Sequence, residues 1–128
     1  MELPVTSALA GAAAIFLVLL SLPVALRRRA TKLSFGDGGD EVFNRKIRAQ
    51  ANFIEYVPLA ILAIGLVEMN GGSQTLVCGL AAALAAARVL HAFGLWSNIL
   101  IGRALGAMLT FGVLLVAGGL LIYGQLGL

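Results

Sequence analysis

The feature that most constrains this chain is an uncharged run of 22 residues, Val5 to Leu26, close to its start. At about 1.5 Å per residue, a helix of that length covers roughly 33 Å and crosses the hydrocarbon core of a bilayer. A cleaved signal peptide carries its basic residues before the apolar run. Here the basic residues Arg27, Arg28 and Arg29 follow it. We therefore predict a retained membrane-spanning first helix over residues 5–26.

Three more apolar segments follow, and together with the composition they predict the fold class. Hydrophobic residues make up 60% of the chain and charged residues 12%, about half the charged share of a soluble domain. These values exclude an ordinary soluble globule and a nucleic-acid partner. Turn-forming residues separate the rest of the chain into three predicted helices, over residues 41–69, 74–96 and 103–124. We predict one domain, residues 1–128, which is an all-α integral membrane protein built as a four-transmembrane-helix bundle.

Basic residues are unevenly distributed, which predicts an orientation in the membrane. Seven of the nine lysines and arginines fall between Arg27 and Arg48, and Arg103 begins the fourth helix. Neither terminus contains a lysine or arginine, and nor does the loop between helices two and three. By the positive-inside rule, both basic loops face the cytoplasm and both termini lie on the non-cytoplasmic side. Residues 27–40 are predicted to form a loop, with Asp40 as the N-cap of helix two.

One face of helix two is polar, although the helix has to cross a membrane. At 100° per residue, six polar side chains fall within about a third of the circumference: Glu41, Asn44, Arg45, Arg48, Asn52 and Glu55. A charge at mid-bilayer costs about 2.5–3.5 kcal/mol, so such residues face the bundle interior or a polar cavity.

This stripe has two interpretations. The first is a structural network in which Glu55 neutralises Arg88 or Arg48 and Asn52 bridges them. The second is a site for a small ligand with both charge signs, such as a peptide. Arg45 and Arg48 would then bind carboxylates, Asn52 would bind amides, and Glu55 would bind an ammonium group.

Helices three and four add three candidate residues. Arg88 and His91 are three positions apart and share a face of helix three, where they bind a ligand or form a satisfied hydrogen-bonding pair. The chain has no second histidine, so we expect no metal site. Arg103 either snorkels to the cytoplasmic surface as an anchor or stabilises an anion formed in the cavity.

The sequence of helix two resembles that of a known family. Residues 45–58 read RKIRAQANFIEYVP. This segment is similar to the helix-two signature of the MAPEG family, the membrane-associated proteins in eicosanoid and glutathione metabolism. It most resembles the microsomal glutathione transferase and leukotriene-C synthase members. Residues 88–91, RVLH, resemble the family's helix-three motif. Length, four spans and polar positions agree over nearly the whole chain.

The resemblance implies a homotrimer of four-helix bundles in a bacterial inner membrane, with glutathione bound between neighbouring subunits near the cytoplasmic face. Gln50, on the other side of helix two, would contact the glutathione of the neighbouring subunit. One arginine of residues 27–29 matches the family's basic residue at the end of helix one. Arg103 would hold the thiolate and is the candidate catalytic residue. Glutathione, the cosubstrate, would be bound by four residues of helix two: Arg48, Asn52, Glu55 and Tyr56.

The implied activity is that of a glutathione-dependent transferase or peroxidase. Its lipophilic small-molecule substrate would arrive from the membrane lipid, next to helix four. A thiol is a poor nucleophile until it ionises, and a nearby arginine stabilises the thiolate. No motif in the sequence identifies the electrophile.

Two positions depart from the family pattern and favour an alternative function. Asn44 stands where the family often has a glutamate, and Leu95 stands four residues after His91, where a tyrosine is usual. The family also includes a lipid-binding protein without glutathione chemistry. The alternative is therefore a non-catalytic membrane lipid-binding or scaffold protein of the same fold. A transporter is disfavoured, because the apolar residues 56–67 leave no polar path across the membrane.

Overall fold

The structure, a computed structural model, describes residues 2–125 as four α-helices and the turns between them. The helices are α1 (Pro4–Thr31), α2 (Glu41–Met69), α3 (Gln74–Trp96) and α4 (Leu100–Gln125). Over this part of the chain there is no β-strand, and each helix is long and apolar enough to span a membrane. The predicted all-α bundle of four membrane-spanning helices is confirmed.

The first helix is longer than predicted, and the loop after it is shorter. α1 continues through the three arginines to Thr31 instead of ending at residue 26. Arginine and alanine have high helix propensity, so the charged turn extends the helix beyond its apolar run. The helix ends where Lys32 adopts a left-handed conformation, with φ 56°. α4 begins at Leu100 instead of residue 103, which places Arg103 in its first turn.

The turn between α1 and α2 depends on glycine and on Asp40. Gly36 and Gly39 have φ values of 67° and 80°, a region that residues with a side chain rarely adopt. The Asp40 carboxylate accepts hydrogen bonds from the backbone N–H of Phe43 (3.1 Å) and from the guanidinium of Arg27 (2.9 Å). The Phe43 N–H, and then the Arg27 guanidinium, hold the pKa of Asp40 below its usual value. The predicted N-cap is confirmed, and Asp40 also ties α2 to the end of α1.

α2 and α3 each pack against the other three helices, and the most extensive contact joins α3 and α4. These two helices approach closely because glycines lie between them. Gly94 of α3 lies against Gly102 and the backbone of Arg103, and Gly106 of α4 lies against the backbone of His91. Packing through small residues is how many membrane helices associate. Gly102 and Gly106, four residues apart on α4, therefore make their close contacts within the chain.

Two clusters of buried apolar side chains form the core. One surrounds Ile64 and Leu84, towards the end of the bundle where α2 ends. The other surrounds Leu20 and Phe53, towards the end where α2 begins. The polar residues of α2 and α3 lie beside this second cluster, so the candidate site occupies only one half of the bundle.

A carboxylate near the end of α2 caps the start of α1. Glu68 accepts hydrogen bonds from the backbone N–H groups of Val5 (3.1 Å) and Thr6 (2.9 Å) and from the Thr6 hydroxyl (2.6 Å). The first N–H groups of a helix have no acceptor within the helix, and α1 has no side-chain cap of its own. Glu68 therefore supplies acceptors that α1 lacks.

Candidate functional site

A polar cavity of about 260 Å³ lies between α2, α3 and α4. α2 contributes two side chains to its wall, α3 contributes two and α4 one. The lining residues are Arg48, Asn52, His91, Leu95 and Arg103. Four of these five are residues that the sequence predicted to bind a ligand or to act in catalysis. The structure thus brings together residues that lie up to 55 positions apart in the chain.

Helical spacing and one close contact produce this arrangement. Arg48 and Asn52 are four residues apart, as are His91 and Leu95, so each pair lies on one face of its helix. α4 contributes Arg103 from its first turn. Because Gly94 has no side chain, the backbone of that turn can lie directly against α3. The position of Arg103 in the wall therefore depends on this glycine.

Arg88 lies behind the cavity wall and is only 3% exposed. Its guanidinium donates hydrogen bonds to Asn52 Oδ1 (2.8 Å) and Thr110 Oγ1 (3.3 Å), and lies 3.4 Å from His91 Nδ1. It also lies over the ring of Phe53, 5.8 Å from the centroid. None of these partners is a carboxylate. Arg88 therefore holds two residues of the cavity wall in place and adds an unbalanced positive charge next to it.

The predicted ion pairs around Glu55 are only partly present. Glu55 Oε1 lies 3.9 Å from Arg48 Nη2, while Arg88 bonds Asn52 instead of Glu55. The side chains of Arg48 and Glu55 are 56% and 50% exposed. The expectation that the polar stripe faces the bundle interior or a polar cavity is therefore wrong for Glu55 in the single chain. Asn52, on the same stripe, is only partly exposed and bonds Arg88.

Besides Arg88 and Glu55, three more predicted site residues do not line the polar cavity. The ring of Tyr56 packs against an aromatic ring of α4, with centroids 5.5 Å apart. Gln50 Nε2 donates a hydrogen bond to the hydroxyl of Ser21 on α1 (2.8 Å), so it lies on another face of α2. Arg45 lines a separate and smaller cavity. These residues do not reach a ligand in the polar cavity of the same chain.

Thr110 and Ser21 take part in these networks but were not predicted to do so. Thr110 is 1% exposed, accepts a bond from Arg88 and donates one to the carbonyl of Gly106 (2.8 Å). The available signal was a hydroxyl in the middle of an apolar helix, since such groups bond across helices in membranes. Within residues 2–125, no group of three or more histidines, cysteines or acidic residues is placed to hold a metal ion.

Comparison with known proteins connects this geometry to a family. The model of the MAPEG family matches residues 6–123, which include every residue that lines the polar cavity. The chain belongs to the MAPEG family. This MAPEG protein is also 32% identical to the inner membrane protein YecN of Escherichia coli K12 over 105 residues, 80% of this chain and 79% of YecN. YecN of Escherichia coli O6:H1 strain CFT073 matches to the same extent.

Proposed function

We propose that this MAPEG protein is a glutathione-dependent membrane enzyme. It would act as a transferase or peroxidase that activates the glutathione thiol for attack on a lipophilic electrophile. The main support is that Arg48, Asn52, His91 and Arg103, from three helices, line one polar cavity. Glutathione offers carboxylates to arginines and amides to an asparagine, and its ammonium group suits the carboxylate of Glu55.

The charges around the cavity fit the ionised form of this ligand. Guanidinium groups of Arg48, Arg88 and Arg103 outnumber the single carboxylate of Glu55. Glutathione carries two carboxylates and one ammonium group, and it gains a second net negative charge when its thiol ionises. Excess positive charge in a site that is partly shielded from water favours the thiolate and lowers the thiol pKa.

Each residue then has a distinct role. Arg103 would stabilise the thiolate without any proton transfer of its own. Arg48 and Asn52 would bind the peptide, while Arg88 would be a positioning residue that acts through Asn52. An apolar groove of about 420 Å³ between α3 and α4 offers the lipophilic substrate a route from the membrane.

Assembly as a homotrimer is part of the proposal, because one face of α2 carries charges that its own chain leaves half exposed. Charged residues of membrane helices face protein or a water-filled cavity. Copies that meet along α2 would cover this face. They would also bring Gln50 and one arginine of residues 27–29 to the glutathione of the next subunit. The exposed face continues at helical spacing with apolar residues: Leu59, Leu62 and Leu66.

Glutathione binding to the purified protein in mild detergent tests the proposed function. Calorimetry should show binding, and a pH titration followed by thiolate absorbance should give a thiol pKa below the value of about 8.5 for a free cysteine thiol. S-methylglutathione, which cannot ionise, should bind without producing thiolate absorbance.

Arg103→Ala should raise the pKa of the bound thiol towards that of the free peptide. Lys46→Ala removes a cation that does not line the polar cavity, and it should leave the thiol pKa unchanged. If wild type and Arg103→Ala give the same thiol pKa, Arg103 is a surface anchor and the proposed chemistry is refuted.

Two further measurements test the assembly and the orientation. Native mass spectrometry should detect trimers, and a spectrum with monomers alone would overturn the assembly. YecN is named as an inner membrane protein, and we propose the same membrane for this chain. A tag on the C-terminus should then be accessible from the periplasm, as should a tag on the N-terminus. A C-terminus in the cytoplasm would reverse the orientation.

A non-catalytic membrane lipid-binding or scaffold protein is the second candidate, and Leu95 favours it. Leu95 lines the polar cavity where the family resemblance predicts a tyrosine, so no phenol is available there to contact a ligand. Binding of apolar ligands in the absence of any glutathione binding would support this function over the enzyme.

A further inference from the structure

A second, smaller cavity lies next to the polar cavity, at the turn between α3 and α4. Its volume is about 60 Å³, and it is lined by Arg45 of α2, by Arg103 and by five residues of positions 94–100. Leu95 and Arg103 border both cavities, whereas Arg45 borders only the smaller one. Arg103 therefore separates a larger cavity from a smaller one.

Arg45 lacks an adequate partner in this position. Its Nε is fully enclosed and has no hydrogen-bond partner among residues 2–125. Its ion pair with Glu41 is long, at 4.0 Å, and the Glu41 side chain is 93% exposed. Exposed pairs of this kind contribute little, whereas an enclosed donor without an acceptor is costly. The Nε of Arg45 therefore lacks an acceptor, while the side chain as a whole is 24% exposed.

Arg103 adds a second unbalanced cation to the same cavity. It forms no ion pair within the part of the chain that the structure describes. No acidic residue lines the cavity, whose remaining polar side chain is the neutral amide of Asn98. Two guanidinium groups without a carboxylate give the cavity a net positive charge.

We propose that this cavity binds a small inorganic anion, of the size of a halide ion, between Arg45 and Arg103. Its volume of about 60 Å³ is less than a quarter of the volume of the polar cavity, so it suits a small ion and not a whole peptide. Two guanidinium groups supply charge-assisted hydrogen bonds to it. The site requires no glutathione and does not rest on the proposed enzymatic function.

Sodium bromide and sodium gluconate at equal ionic strength test the site in the purified, glutathione-free protein. Bromide fits the cavity, whereas gluconate, a six-carbon anion, does not. The comparison therefore separates binding at the site from general screening of surface charge. Bromide should raise the melting temperature of the protein. The bromine NMR signal of the salt should also broaden in proportion to the protein concentration. Equal effects of the two salts on melting would overturn the proposal.

Two neighbouring cations of α2 provide a matched pair of variants. Arg45→Gln should weaken bromide binding by roughly 10- to 150-fold, the range for a hydrogen bond to a charged group. Lys46→Gln removes a charge that does not line this cavity, and it should bind bromide as the wild type does. Equal losses in both variants would show that net charge alone attracts bromide, and would refute the site. The NMR signal is measured well below the melting temperature, so a loss of stability in Arg45→Gln does not confuse the result.

Competition with glutathione separates this cavity from the polar cavity. If bromide stays bound beside glutathione, the small cavity is an anion site of its own. If glutathione displaces bromide, the small cavity belongs to the larger polar site, and the proposal of a separate anion site is overturned. A protein that binds bromide but not glutathione would refute the proposed function and leave the anion site intact, so the two proposals fail separately.

Discussion

Replacing Gly106 by alanine should force α3 and α4 apart. A Cβ atom at this position would lie 2.6 Å from the carbonyl oxygen of Ala87 and 2.6 Å from the backbone nitrogen of His91. Ordinary contacts begin near 3.4 Å, so the helices would have to separate by about 0.8 Å. Two of the three obstructing atoms belong to the backbone of a packed helix, so a change of rotamer does not relieve the clash.

The cost of this separation can be given as a range. Overpacking of a well-packed contact costs about 1–3 kcal/mol, and the better helix propensity of alanine returns at most about 1 kcal/mol. Since Gly118→Ala gains the same helix propensity without the clash, we expect Gly106→Ala to be about 1–3 kcal/mol less stable than Gly118→Ala. The same movement shifts Arg103 relative to His91 in the cavity wall. Since a misplacement of about 1 Å reduces catalysis by up to about 100-fold, turnover should fall by roughly 10- to 100-fold.

Unfolding by SDS in mixed micelles measures the first effect, and turnover with glutathione measures the second. Gly118→Ala is the matched control, because a Cβ at position 118 meets nothing within 4 Å. This control should be at least as stable as the wild type and equally active. If Gly106→Ala matches Gly118→Ala in stability, the close contact between α3 and α4 is refuted.

Three further perturbations have defined outcomes. If Arg48 binds ground-state carboxylates of glutathione as proposed, Arg48→Ala should raise KM for glutathione by roughly 10- to 150-fold with little change in kcat; steady-state kinetics measure this. Glu68→Ala should leave the first N–H groups of α1 without acceptors, loosen the start of that helix, and speed amide hydrogen exchange at Val5; unchanged exchange would contradict the cap. The pKa of Asp40 is lowered in the folded protein, so its contribution is present above the unfolded value of about 3.9 and is lost as pH falls through the lower folded value. Acidification below about pH 4 should therefore lower the protection factor of the Phe43 amide, which is its intrinsic exchange rate divided by its observed rate at the same pH, and Asp40→Asn should remove most of that dependence.

Spacing within single helices predicted which residues share a wall of the site. The intervals from Arg48 to Asn52 and from His91 to Leu95 each correspond to about one turn, and each pair lines the polar cavity. Which side chains of different helices bond to one another could not be predicted in the same way. The structural interpretation paired Glu55 with Arg88 or Arg48; the structure places Glu55 near Arg48, while Arg88 bonds Asn52 and a threonine of α4. Such contacts depend on the rotation of each helix about its axis, which spacing along one helix does not define.

The ends of the helices were predicted less well than the helices themselves. The apolar run that ends at Leu26 indicates how much of α1 lies in the membrane, and not where the helix ends. The charged turn that extends α1 to Thr31 was therefore predicted to be part of a loop. The end of α2 and the start of α3 were easier to predict. Asn70 and two glycines follow α2, and Ser73 caps α3 by accepting a bond from the backbone N–H of Leu76. Local turn chemistry marks such boundaries, whereas a change from apolar to basic residues does not.

The cap that Glu68 places on α1 has to wait for most of the first two helices to be synthesised. Thr6 and Glu68 are 62 residues apart, and at about 5–20 residues per second the ribosome needs roughly 3–12 s to make the segment between them. During that interval the first N–H groups of α1 depend on water or lipid headgroups at the membrane border. α1 thus reaches its final hydrogen bonding only as one arm of a helical hairpin. The timing of biogenesis, and not the apolar length of α1 alone, determines when this helix is anchored.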